Sequence, residues 1–239
     1  MAFSTTLGGR RPPFTWHGFL AGLRGSSVIM PTVVFYGLAF GVLASNAGLS
    51  ELESLLFSAL VNAGGAQMAS LQAWGEPVPL LAVVLTTAAM NARYLLLGAA
   101  LRPWWQGLPG WQSYGSLFVL GDGNWALALR ERSAGRDDAA FLVGVGAVAW
   151  AGWASSTLAG HLLGGLLGDP ARFGLDFMLG AFFAALAVGF FRSRASALPL
   201  VVGIATAILV ERLVPGPWYI LAGATAGAVA GGLAHGHKA

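Results

Sequence analysis

Long apolar runs, most of them near twenty residues and each closed by charge, proline or glycine, follow one another along nearly the whole chain. A helix needs roughly 20 mostly apolar residues to cross the hydrocarbon of a bilayer. The pattern therefore predicts an all-α, polytopic membrane protein with about eight (7–8) transmembrane helices. They cover residues 26–46, 54–74, 78–101, 114–129, 139–167, 174–191, 195–210 and 217–234. The fourth and seventh are short, which leaves a count of seven open, and the fifth is long enough to tilt. Residues 1–25 read as a cytoplasmic tail, 26–234 as one transmembrane domain and 235–239 as a C-terminal tail. Two spans carry interruptions. Gly64-Gly65 sits near the centre of the second, flanked by Asn62 and Gln67, and each glycine weakens a helix by about 1 kcal/mol relative to alanine. Gly121 and Gly123 flank Asp122 in the fourth. Both spans are expected to be broken helices, tolerated where protein or a water-filled cavity surrounds the freed backbone groups.

Composition agrees with a bilayer. The chain is 56% hydrophobic and 10% charged, with a mean hydropathy of +0.69, against about 25% charge in an ordinary soluble domain. The net charge of +3 comes without a basic cluster, so no nucleic-acid partner is expected. The absence of cysteine excludes disulfides, thiolate metal sites and thiol nucleophiles. There is no P-loop and no H-E-x-x-H or G-x-S-x-G motif. An ATP-driven pump and an intramembrane enzyme are disfavoured, and neither cofactor nor metal is expected. With eight spans and the N-terminus inside, the cytoplasmic segments hold Arg10, Arg11, Arg24, Arg130, Arg132, Arg136, Arg192, Arg194 and Lys238. The outer segments hold Arg102, Arg172 and Arg212. The excess of Lys and Arg predicts N-in and C-in, and Trp104, Trp105 and Trp111 read as an interfacial aromatic belt.

The remaining cation, Arg93, lies inside the third span, where a guanidinium in hydrocarbon costs several kcal/mol. At helical spacing Thr87, Asn91, Tyr94 and Gly98 share one stripe, with Arg93 roughly opposite. Arg93 either snorkels outward or has a buried partner. Asp122 is the only acid well inside a predicted span, so the two are expected to be close, as a fixed ion pair or bridged by substrate. The half-helix starting at Gly64-Gly65 offers a positive dipole end to an anionic group. Candidate substrate-binding residues are thus Arg93, Asp122, Asn62, Gly64, Gly65, Gln67, Asn91 and Tyr94. Asp122 is also a candidate proton carrier, if burial raises its pKa. His161 in the fifth span is a weaker one. Gly37 and Gly41, and Gly223, Gly227 and Gly231, are spaced for close packing with another helix, in this chain or a partner.

Three stretches occur in order: FYGLAFGVLASNAGLS (35–50), NAGGAQMASL (62–71) and LTTAAMNARYLLLGAAL (85–101). Together the chain resembles the AzlC family of branched-chain amino acid permeases, exporters of the LIV-E type, with looser similarity through LGDGNWALAL and the final glycine-rich span. The resemblance implies export of leucine, isoleucine, valine or a similar amino acid across a bacterial inner membrane. It also implies a small AzlD-type membrane partner. The chain departs from the family pattern at Tyr94, where histidine is frequent, at Gly65 in place of serine, and at Gly123 in place of a second acid after Asp122. A channel or a non-transporting membrane subunit is the alternative.

Overall fold

The computed structural model describes residues 13–61, 63–72, 80–167, 194–214 and 218–236, with 74, 78 and 184 as single positions. The expected sixth span and Asn62 lie outside these. The described residues form helices and no strand: α1 (Trp16–Gly25), a 3-10 turn (Ser26–Val28), α2 (Met30–Asn46), α3 (Glu51–Val61), α4 (Gly64–Gln72), α5 (Leu80–Asn91), α6 (Arg93–Trp105), α7 (Gly110–Phe118), α8 (Asp122–Ser133), α9 (Ala140–Leu167), α10 (Arg194–Leu213) and α11 (Trp218–Gly236).

The burial pattern is that of a protein immersed in hydrocarbon. On α3, Ser54 and Ser58 are fully buried, whereas Leu52, Leu56 and Leu60 are 63%, 46% and 70% exposed. In water that helix would be inside out. It makes sense where the solvent is apolar and polar groups must find partners within the bundle. Similar apolar faces are exposed on α5 and α6, at Leu80, Leu81, Leu95 and Leu96.

One helix among the described residues, Ala140–Leu166, is long and apolar enough to cross a membrane on its own; α1 and α2, bent by 67° at their junction, make a second such span if taken as one broken helix. An eight-crossing count therefore does not follow from the helices. The reason is that the expected spans are subdivided. The breaks expected in spans two and four are present, between α3 and α4 and between α7 and α8. A third divides α5 from α6 at Ala92, which keeps right-handed dihedrals (φ −54°, ψ −28°).

Contacts fix how these pieces run. α1 and α2 both run along α9 in its own sense. A Cβ at Gly22 would press on Phe141 and Gly144, and one at Gly41 on Thr157 and His161. The Gly37 and Gly41 face thus packs within the chain, against α9. The stretch 16–25, expected as tail, is docked helix: Thr15 caps α1 through Gly18 N–H and donates its own N–H to Asp138 (3.2 Å). From the far end of α2, α3 descends beside α9, and α4 turns back. Gln67 Nε2 reaches Ser58 Oγ at 3.4 Å, and the Trp74 ring lies 6.2 Å from Phe57.

The same construction recurs upside down. α5 and α6 cross in the opposite sense, and α7 runs back along α6, with Leu117 beside Gly98. α8 then returns parallel to α6. Arg93 meets Asp122 at their starts, and at their ends Arg132 stacks on Trp104 at 5.6 Å while Trp104 Nε1 donates to Asp137 O at 2.9 Å. The expected fourth span is therefore a hairpin that enters and leaves at one end. Its helices have 9 and 12 residues, or about 14–18 Å at 1.5 Å per residue, half the roughly 30 Å of a hydrocarbon core. Two assignments change with it. Arg102, expected opposite Arg130, Arg132 and Arg136, lies at their end of the bundle. Trp104 and Trp105 belong to a buried cluster with Leu101, Leu120 and Leu142; only Trp111 is exposed. The turns that lead into the two hairpins match, Gly48-Leu49 and Gly107-Leu108, with Gly48 at φ +82° and Gly107 at φ +90°. Only glycine adopts that conformation without strain. Residues 16–72 and 80–133 are thus two halves of one plan with opposite sense, closed by α9. α10 and α11 form a separate antiparallel pair, with Gly223 against Gly203 and Ala207, and Gly227 against Pro199.

Candidate functional site

The two crossings and two hairpins each contribute their interruption to one cavity of about 290 Å³. Val28 and Ile29 come from the α1–α2 bend, Gly64 and Gly65 from the first hairpin tip, Arg93 and Tyr94 from the α5–α6 break, and Gly121 to Asn124 from the second tip. Thr32, Val33, Tyr36, Val119, Gly146, Ala149 and Trp153 complete the wall. The size is at the low end of small-molecule pockets, about 300–1,000 Å³. Two helices, α4 and α8, begin here after non-helical turns, and the first N–H groups of a helix have no intrahelical acceptor. The positive ends of two dipoles therefore converge.

Arg93 does not reach out to a surface. Its Nη2 is 2.9 Å from Asp122 Oδ2, with the side chains 27% and 54% exposed. Its Cζ lies 5.3 Å from the centre of the Tyr94 ring, and its Nε is buried without a partner. Asp122, the first residue of α8, sits where the dipole favours a carboxylate. The tip that carries it is pinned by Asn124, nearly buried, which accepts from Gly121 N–H (2.7 Å) and donates to Val119 O (2.6 Å). Glycine at position 64 is required by contact, since a Cβ there would overlap the Trp153 indole.

Of the residues expected at the site, Arg93, Asp122, Gly64, Gly65 and Tyr94 line the cavity. Gln67 does not. It is fully buried behind the wall and accepts from Trp153 Nε1 at 2.9 Å, so it positions the indole. Asn91 is also outside the lining, with Oδ1 buried and unpaired. Asn62 lies outside the described residues. Sequence reasoning missed Trp153, Asn124 and Tyr36. Asn124 had a signal in its spacing, three residues after Gly121, which is the distance at which a side chain caps a helix start. Trp153 had only the stretch WASS (153–156), which with Thr157 suggests added polar contacts, because an aromatic residue in an apolar helix otherwise reads as packing. Among the described residues no group of His, Asp or Glu is placed to hold a metal.

The AzlC protein family model matches residues 28–167, which takes in both inverted halves from the α1–α2 bend onward and α9. The chain is 31% identical over 184 residues to "Inner membrane protein YgaZ" of Escherichia coli strain K12, covering 74% of this chain and 75% of that protein. It is 28% identical over 149 residues to an "Uncharacterized membrane protein" of Archaeoglobus fulgidus, covering 62% and 64%. No solved structure matches. Family match, named relatives and lipid-type burial agree on a membrane protein of transport-related kind, and the chain belongs to the AzlC family.

Proposed function

We propose that this protein is the large subunit of a secondary transporter that exports branched-chain or other hydrophobic amino acids across the bacterial inner membrane, with a small AzlD-type partner. The observation that carries the reading is the cavity where all four helix interruptions meet around one cation and one acid. An amino acid is a carboxylate, an ammonium and an apolar side chain. Arg93, with an unpaired Nε, and the free N–H groups at the start of α4 suit the carboxylate. Asp122 suits the ammonium, and Val28, Ile29, Val33 and Trp153 suit the side chain. Broken helices around a central site, carried by halves of opposite sense, are the construction by which secondary transporters open to either side in turn. Arg102, Arg130, Arg132 and Arg136 at one end support placing that end, and the N-terminus, in the cytoplasm.

The test is exchange of labelled leucine across proteoliposomes holding this chain with its partner. Saturable exchange that is lost in Arg93→Gln supports the reading. Flux that is linear in leucine and indifferent to Arg93 would replace it with the channel reading, and no flux with either amino acid or partner would leave a non-transporting subunit.

A further inference from the structure

A second polar system lies behind the cavity wall. Trp150, Trp153, Thr157 and His161 recur along α9 at intervals of three and four, so they share one face. Each is hydrogen-bonded to the first hairpin. Trp150 Nε1 donates to Ala59 O at 2.9 Å and Trp153 Nε1 to Gln67 Oε1 at 2.9 Å. Ser58 Oγ donates to Thr157 Oγ1 at 2.8 Å, and Ser54 Oγ lies 3.0 Å from His161 Nδ1. Ser54, Ser58, Gln67 and Thr157 are fully buried, and His161 keeps 8% of its surface exposed. Leucine at these positions would have packed the hairpin more cheaply, since a buried hydroxyl gains little once its desolvation is counted. A line of hydrogen bonds holds the hairpin to α9 with groups that can exchange partners.

Of the side chains in that line only the His161 imidazole can take up a proton and become a cation. Among the described residues the elements packed on it supply no counter-charge inside the seam. α2 offers Tyr36, which is at the cavity, and α4 offers no ionisable group. α3 offers Glu51, which is exposed, and Glu53, whose carboxylate accepts from Ser50 N–H and Oγ at 2.7 Å each. Those bonds hold Glu53 below its ordinary range.

We propose that His161 is the proton-binding trigger of a gate formed by the α3–α4 hairpin, controlling access to the cavity from the end at which α3 begins. The proposal rests on the transporter reading of that cavity. With the ring neutral, Ser54 Oγ and Nδ1 share one proton between them. A proton taken from water at that end makes both ring nitrogens donors. Ser54 Oγ must then accept, and its own hydroxyl proton turns to the Ser50 carbonyl one turn earlier. Among the described residues the imidazolium has no carboxylate beside it, so it is stabilised by water, and water reaches it as α3 parts from α9. The same seam includes Trp153, which covers Gly64 at the cavity, so parting the hairpin opens the cavity to that end. The proton enters and leaves on one side. It gates the carrier and does not drive it.

The experiment varies pH on each face of proteoliposomes during leucine exchange. Wild type should exchange several-fold faster as the α3-entry face is acidified, within the tenfold per pH unit that one proton allows. His161→Gln should keep exchange but lose that step, while Glu51→Gln and Glu53→Gln should keep it. An unchanged step in His161→Gln overturns the gate. A readout independent of transport uses the absence of native cysteine. Ala66→Cys, placed at the buried hairpin tip, is labelled with an impermeant thiol reagent in His161 and His161→Gln backgrounds. The ratio of the two labelling rates should rise on acidification, which also removes the thiol's own pH dependence. A ratio constant with pH overturns the gate. Absence of any leucine exchange combined with a rising ratio would sink the transporter reading alone.

Discussion

Neutralising Arg93 and Asp122 singly and together separates a structural ion pair from a working site. The partners stand 2.9 Å apart but are 27% and 54% exposed. Their coupling therefore belongs between the roughly 0–1 kcal/mol of exposed pairs and the roughly 3–5 kcal/mol lost on breaking a buried one. About 2 kcal/mol is expected, or roughly 4–8 °C in Tm for a chain of this length. The two single variants should differ. Arg93→Gln leaves a carboxylate that is half exposed at the start of α8, where water and the dipole still serve it. Asp122→Asn leaves a guanidinium whose Nε already lacks a partner and whose other neighbour is the Tyr94 ring. Asp122→Asn should be the less stable. The double variant should be no less stable than Asp122→Asn, and inactive in leucine exchange. Melts of the four proteins in detergent, paired with exchange, decide it. Stability effects that add to within about 0.5 kcal/mol would show that the charges do not interact. Full exchange by the double variant would show a pair that only orders the bundle.

Gly41→Ala should lower Tm by several degrees, the cost of overpacking being about 1–3 kcal/mol, because its Cβ would meet α9 backbone at Thr157 and His161; Gly165→Ala, with open space at its Cβ, should not, and equal melts would refute the α2–α9 contact. Gly64→Val should abolish exchange by displacing the Trp153 indole while leaving most of the fold intact, and exchange at the wild-type rate would remove that tip from the site. Glu131 is held below its ordinary value of 4.5 by its hydrogen bonds from Arg136, so the pair's contribution is present above about pH 4.5 and is lost as pH falls through the lowered value; hydrogen exchange in 131–136 should quicken below that pH in wild type and be quick throughout in Glu131→Gln, and a wild-type rate in the variant would refute it.

Much of the site was legible because charge and glycine are conspicuous in an apolar chain. An arginine inside a span demands a partner, and one acid was available within the spans. Adjacent glycines marked one hairpin tip, and Gly121 with Gly123 marked the other. What hydrophobicity cannot show is direction. A run of apolar residues long enough to cross looks the same as two half-length helices that turn back, and the turn at 119–121 was read as a broken crossing. The break at Ala92 left no mark at all, since it has no glycine or proline and keeps helical dihedrals. His161 was visible but mute: its meaning depends on Ser54, 107 positions away in sequence.

The two halves share a plan but divide the work, and the division is where the proposals gain their force. At the hairpin tips the first half carries Gly64-Gly65 and the second carries Asp122. At the crossing breaks the first carries Ile29 and the second Arg93. Both charges of the cavity therefore come from the second half, whose hairpin is braced by Asn124, by Trp104 on Asp137 and by Arg132. The first hairpin packs Phe57, Met68 and Leu71 against Phe40 of α2. Its attachment to α9 is the line of hydroxyl, amide and indole hydrogen bonds that ends at His161. A carrier needs one wall that holds its cargo and another that yields. In this chain the charged wall is pinned by Asn124 and the Trp104 and Arg132 contacts, and the neutral wall meets α9 through exchangeable bonds, so substitutions in the second half should alter affinity, and those along 54, 58, 157 and 161 should alter rate and pH response.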